Sequence, residues 1–332
     1  MPNCFSLMVF ALLIAFAATQ SQAGQRSSQQ QQLRANAPGG GVAKDTVLPP
    51  WPAPPDPLRT ITPVTDTMLS NPPAGDWLTW RRTYDDMGFS ALKQITKDNV
   101  KNLRVAWSLT LPAGPNEATP LVHDGVVFVH SYNDNVQALD ATTGDELWHY
   151  ARKLPENARP TVKRNMAIYS NKLFVGTSDL HVVALDMKTG NIVWDQPLAN
   201  PADGWNLTGG PLVAKGKVMQ GIGGRGKGGA YIAGLDSETG KEAWRFYTIA
   251  RPDEPGGNSW NGLPLEQRSG GSVWTAGSYD PDLNLVFFGP APTYDRCMLK
   301  MNGIEAASIG RFRRFSVGGS AGGLTWVIKI VT

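Results

Sequence analysis

An all-β architecture of repeated sheets is predicted by three observations. The text ALDATTGDELW (138–148) returns as ALDMKTGNIVW (184–194) and GLDSETGKEAW (234–244), and in degenerate form as SYDPDLNLVFF (278–288). Its marker aspartates Asp140, Asp186, Asp236 and Asp280 are 46, 50 and 44 residues apart, a period that signals stacked or propeller units. Between the markers, β-branched and aromatic runs such as GVVFV (125–129) and KLFVG (172–176) are bounded by turn residues, while helix-length amphipathic patterns are nearly absent. About four strands per unit follow, with one supplied by the segment between units. A β-propeller accounts for all three observations.

Each element then has a local reason. The first 23 residues hold no Lys, Arg, Asp or Glu and carry the apolar run LMVFALLIAFAA, too short to span a bilayer. Small and polar residues follow it, so 1–23 reads as a signal peptide cut after Ala23, which leaves no stable membrane span. Residues 24–75 read as a Gln/Gly/Pro-rich linker, because SSQQQQ, PGGG and LPPWPAPPDP bury too little apolar surface to order themselves. The propeller is expected from about Asp76 to Asp295. In each repeat the Asp of D-x-x-T-G bonds nearby backbone N–H groups and the Gly tolerates positive φ. The Trp that closes it is a large plug between neighbouring sheets. Residues 296–332 form an atypical basic tail, with six Lys/Arg against Glu305 alone, a net +5 in a chain of +3. The rest is therefore about −2, which removes the main support for a nucleic-acid partner. Cys4 lies in the signal segment, leaving Cys297 alone, so no disulfide framework forms within one copy.

Two candidate chemistries fall away. In GIGGRGKGGAYIAGLD (221–236), Gly221, Gly226 and Lys227 reproduce the spacing of a phosphate-binding loop. Gly228 stands where Ser or Thr is needed, and AYIAGLD continues as a strand rather than a helix. The four histidines, His123, His130, His149 and His181, show no helical metal-ligand spacing. His123 and His130 flank one strand region on opposite parity and read as surface residues.

The stretch YDDMGFSALKQITKDNVKNLRVAWSL, the TG-x-x-x-W units and SGGSVWTAGSYDPDLNLVFFG resemble the quinoprotein alcohol dehydrogenases, which bind pyrroloquinoline quinone on an eight-bladed propeller. The resemblance covers about residues 76–295 and implies a propeller of that eight-bladed type with only about four blades present. It places Glu117, Arg164, Thr208, Gly223, Gly224 and Trp274 at the cofactor. Cationic and hydroxyl donors around an aromatic floor suit a planar tricarboxylate quinone. It implies calcium beside the quinone, yet Arg225 stands where the family has a glutamate ligand, and arginine has no acceptor atom. FFGPAPTYD lacks the expected asparagine, leaving Tyr294 or Asp295 as substitutes, and no Asp follows Asp295 to act as catalytic base. No metal ligand and no catalytic residue is therefore assigned. The implied activity is oxidation of a small-molecule alcohol, with electrons passed to an acceptor such as cytochrome c, in the periplasm or outside the cell. Without an assigned base or metal ligand the chain as it stands can be inactive in that role, and the alternative is a non-catalytic propeller serving as a periplasmic binding or assembly scaffold.

Overall fold

The computed structural model describes residues 56–291, apart from 157, 259 and 261, together with the strand 326–329. The signal segment, most of the linker, both cysteines, Tyr294, Asp295 and most of the basic tail lie outside the described residues.

Three four-stranded antiparallel sheets follow one another, as the repeats predict. The first is β1 (Leu121–His123), β2 (Val126–Ser131), β3 (Asn135–Asp140) and β4 (Glu146–Ala151), paired in that order. The second is β5 (Ala167–Tyr169), β6 (Lys172–Gly176), β7 (His181–Asp186) and β8 (Ile192–Pro197). A short pairing of β9 (Trp205–Asn206) with β12 (Gly223–Gly224) flanks the third sheet. That sheet is β10 (Leu212–Ala214), β11 (Lys217–Gly221), β13 (Tyr231–Asp236) and β14 (Glu242–Tyr247). The fourth has three strands, β15 (Ser278–Asp280), β16 (Leu285–Phe288) and β17 (Trp326–Lys329). The last of these places a strand within the sequence-atypical tail. The middle sheet is covered on both sides, so β6 is buried along its whole length, as its unbroken apolar run allows.

The D-x-x-T-G turns are built alike. Asp140 Oδ1 accepts the N–H groups of Thr142 and Thr143 at 2.7 and 3.1 Å, and the Gly144 N–H reaches the Asp140 carbonyl at 2.8 Å. Gly144, Gly190 and Gly240 have φ of 78, 71 and 72°, which a side chain would strain. The space above each is also filled: a Cβ on Gly190 would meet the Trp148 ring at 2.6 Å. Trp107, Trp148 and Trp194 each lay the indole on the glycine of the next turn. Each also donates Nε1–H to a carbonyl one residue past the marker Asp, those of Ala141, Met187 and Ser237, at 3.0 to 3.1 Å. The repeated tryptophan is thus a clasp between successive blades.

One boundary is corrected. The linker expected over 24–75 already packs from residue 57 onward, where a 3-10 turn (Pro57–Arg59) and a one-turn helix α1 (Asp66–Ser70) run as a strap. Leu58, Ile61, Val64 and Leu69 enter the core and stabilise it by apolar burial. The strap bridges Ser170 through Val64. Asp66 accepts from the Tyr84 hydroxyl, the Tyr169 hydroxyl and the Lys215 N–H at 3.3, 3.0 and 2.8 Å. The strap therefore ties together the far ends of the first strands of three sheets.

Candidate functional site

The strands β1, β5, β10 and β15 all begin at one end of the sheets, and the segments entering them carry the residues expected at the cofactor. Glu117 precedes β1, Arg164 precedes β5, Thr208 precedes β10 and Trp274 precedes β15. Arg164 joins them. Its Nε lies 2.9 Å from Glu117 Oε2, its Nη1 donates to the Thr208 carbonyl at 3.3 Å, and its guanidinium carbon sits 5.0 Å from the Trp274 ring centroid. Thr208 contributes its carbonyl to this contact. Trp274 is 44% exposed, an open indole face beside a cation.

Gly223 and Gly224 hold the side of this site rather than touching Arg164. They pair with Asn206 and Trp205, and the Gly224 N–H donates to Ser272 Oγ at 3.1 Å, two residues before Trp274. A Cβ on Gly223 would meet Asn206 Oδ1 at 2.8 Å, so glycine lets two loops close on each other. The run 221–230 accordingly joins β11 to β13 at the site end of the third sheet, through the short β12 and a loop over 225–230, and no helix follows it.

The geometry also shows residues that the sequence did not point to. Lys163 and Asn165 flank Arg164 and are both buried. Lys163 Nζ lies 2.5 Å from Asp134 Oδ1, and Asn165 Oδ1 accepts the Gly210 N–H at 2.8 Å. Burial works against the Lys163 ammonium and lowers its pKa despite Asp134. Burial would raise the Asp134 pKa, but His130 and Lys163 hold the carboxyl well below the usual range. The signal available was the dense polar run KRN at 163–165, which a strand entry buried on both sides does not need.

His123 and His130, expected at the surface, are corrected: they are 0% and 1% exposed. His130 lies between blades, where burial lowers its pKa and keeps it neutral. His123 lies under the strap at the opposite end. Its Nδ1 faces Asp76 Oδ2 and its Nε2 faces the Thr62 carbonyl, both at 2.8 Å. Burial lowers the His123 pKa, but the bonds to Asp76 and Thr62 and the Asp124 charge outweigh it, and the net shift is upward. Asp76, His123 and Asp124 come close enough to hold a cation. Both ring nitrogens already face acceptors, however, so the arrangement is that of an imidazolium clasp.

A cation, an open indole and close backbone suit a planar anionic ligand, so the residues fit the quinone. They do not fit calcium. Arg225 is exposed and offers no acceptor, and Glu117, the carboxylate held by Arg164, is already engaged. Among the described residues no cluster of three His, Cys, Asp or Glu side chains stands beside Trp274.

Fold and site together define a repeat-built β-propeller segment that sets a guanidinium beside an open indole at the entry ends of its first strands. The family profile described as "Glucose/ethanol/alcohol dehydrogenase, beta-propeller domain" matches residues 77–300, and the chain belongs to that family. It is 39% identical over 234 residues to the quinohemoprotein alcohol dehydrogenase ADH IIB of Pseudomonas putida, across 65% of this chain and 34% of that protein. It is 37% identical to the dehydrogenase subunit of a quinone alcohol dehydrogenase of Gluconacetobacter polyoxogenes, across 65% and 33% of the two chains. The solved quinohemoprotein alcohol dehydrogenase of Comamonas testosteroni superposes with a TM-score of 0.62 at 30% identity, over 71% of this chain and 39% of that one. The chain spans about a third of the length of the curated relatives it matches.

Proposed function

We propose that the site formed by Glu117, Arg164, Thr208 and Trp274 binds pyrroloquinoline quinone, and that the protein oxidises a small-molecule alcohol in the periplasm or outside the cell. The observation that carries this reading is the Arg164 guanidinium, paired with Glu117 and set against the open face of Trp274. Bound quinone would supply a two-electron acceptor for the alcohol carbon. This chain's own residues bind and orient. Arg164 attracts the quinone's carboxylates and carbonyls, Trp274 gives the ring a floor, and Glu117 keeps the guanidinium in place. No described residue is assigned as the base that takes the hydroxyl proton, and none is assigned as a calcium ligand. Electrons would leave to an acceptor such as cytochrome c.

The test is reconstitution. Purified protein mixed with pyrroloquinoline quinone and desalted should retain the quinone absorbance, quench tryptophan emission and reduce an acceptor dye when an alcohol is added. Protein that emerges without chromophore would overturn the reading and leave the scaffold alternative, which Arg225 in place of a ligand favours.

A further inference from the structure

Arg164 touches three other members of the site, so what fixes Arg164 fixes the site. Its neighbours are anchored in opposite directions. Asn165 Nδ2 donates to the Pro211 carbonyl at 3.2 Å and its Oδ1 accepts the Gly210 N–H, which ties the segment to the third sheet. Lys163 turns towards the first sheet. Its Nζ forms an ion pair with Asp134 Oδ1 at 2.5 Å and donates to Thr161 Oγ1 at 3.2 Å and the Gly176 carbonyl at 3.3 Å. Asp134 sits in the β2–β3 turn, 0% exposed, and accepts the Ser178 N–H from the second sheet at 2.8 Å. The Lys163 carbonyl accepts the Glu117 N–H, and the Arg164 carbonyl accepts the Thr119 N–H, so the same rung also places Glu117.

A buried ion pair is a poor device for stability, because desolvating both charges offsets much of their attraction, and an apolar pair of similar volume packs as well. What it supplies is a fixed geometry, since each charge tolerates few other positions. The Lys163–Asp134 pair has this form and lies directly behind the residue on which the site turns. We propose that Lys163 and Asp134 are positioning residues: their buried pair sets the Arg164 guanidinium against Trp274 and Glu117, and through Arg164 it sets the affinity for the anionic quinone. This rests on the quinone reading for its ligand, but not for its geometry.

Two measurements test it. Quinone affinity is titrated by fluorescence quenching in Lys163→Met and Asp134→Asn, alone and with Arg164→Ala. Each single variant should weaken binding about tenfold in the parent, as a misplaced binding group does. With Arg164 already removed, the same change should alter affinity less than about twofold, because coupled residues are not additive. An equal loss in both backgrounds would mean a general structural role and overturn the proposal. The second measurement needs no quinone. The emission of Trp274, taken as the difference from Trp274→Phe, should shift in Lys163→Met as it does in Arg164→Ala; an unchanged difference overturns the proposal. If the parent retains no quinone, the functional reading fails while this second measurement still decides. Should Lys163→Met fail to fold by circular dichroism, Asp134→Asn keeps the shape, and Lys163→Met with Asp134→Asn removes both charges together. These two carry the same measurements to the same two outcomes.

Discussion

The first strands of the sheets have two ends, and the chain treats them in opposite ways. At the entry end, Glu117, Arg164 and Trp274 face outward, with Glu117 55% and Trp274 44% exposed and the polar anchors hidden behind them. At the far end, the strap 57–70 covers the strands, and the polar groups beneath it, Asp76 and His123, are buried and paired. The same strands thus carry one end closed by the chain itself and one end left exposed. Stability and binding should therefore separate: substitutions under the strap should change unfolding, and substitutions at the entry end should change quinone affinity.

The largest expected effect is His123→Ala. It leaves Asp76 buried without its partner, and loss of one member of a buried pair costs about 3–5 kcal/mol. Urea unfolding should show this loss, while quinone affinity per folded molecule stays unchanged; a parallel loss of affinity would break the separation of the two ends. Asp66→Ala comes next. It strands the Tyr84 and Tyr169 hydroxyls and the Lys215 N–H, at about 1–3 kcal/mol for each group that water cannot reach. At the other end, Arg164→Ala should weaken quinone binding about tenfold or more while lowering stability by less than about 1 kcal/mol, because its partner Glu117 is largely solvated.

Acidity distinguishes the ends further. The His123 pKa is raised in the folded state, so its stabilisation is fully present below the ordinary histidine value of about 6.5 and is lost as pH rises through the raised one. Asp76 and Asp124 are the charged groups that face it. The Asp134 pKa is depressed, so its contribution is present above the ordinary carboxylate value and is lost only as pH falls through the depressed one. Melting temperature followed against pH should fall on the alkaline side in the parent and flatten there in His123→Gln. A profile that His123→Gln leaves unaltered would remove the clasp from the account.

Much of the fold was legible because its causes are local. The D-x-x-T-G turn needs only its own Asp and Gly, and the period repeats it until the pattern is unmistakable. Arg164 and the three residues that meet around it, Glu117, Thr208 and Trp274, were named by the family resemblance. The strap was not, because the prolines and charges around Leu58, Ile61, Val64 and Leu69 hide a core spacing that acquires meaning only against strands far along the chain. His123 was misplaced for the same reason: its partner Thr62 is 61 residues away, and parity within one strand cannot report what lies over it. Lys163 drew no reading from the sequence, because Asp134 and Gly176, which bury its ammonium, come from other segments.

The smallest expected effect concerns the clasps that hold both ends in register. Trp148, Trp194 and Trp107 each donate to the next turn, but Trp244 Nε1 is buried without a hydrogen-bond partner among the described residues. The turn it faces in the sequence order carries Asn284, φ 53°, where the other repeats carry glycine. Asparagine tolerates that backbone but adds a side chain where an indole would lie. Trp148→Phe keeps a ring on Gly190 and deletes the bond to Met187, so it should cost about 1 kcal/mol. Trp244→Phe deletes a donor that has no bond to lose and should cost less than Trp148→Phe, or even stabilise. Equal losses in urea unfolding would mean that the ring, and not the N–H, makes the clasp, and that the fourth junction is held as firmly as the first three.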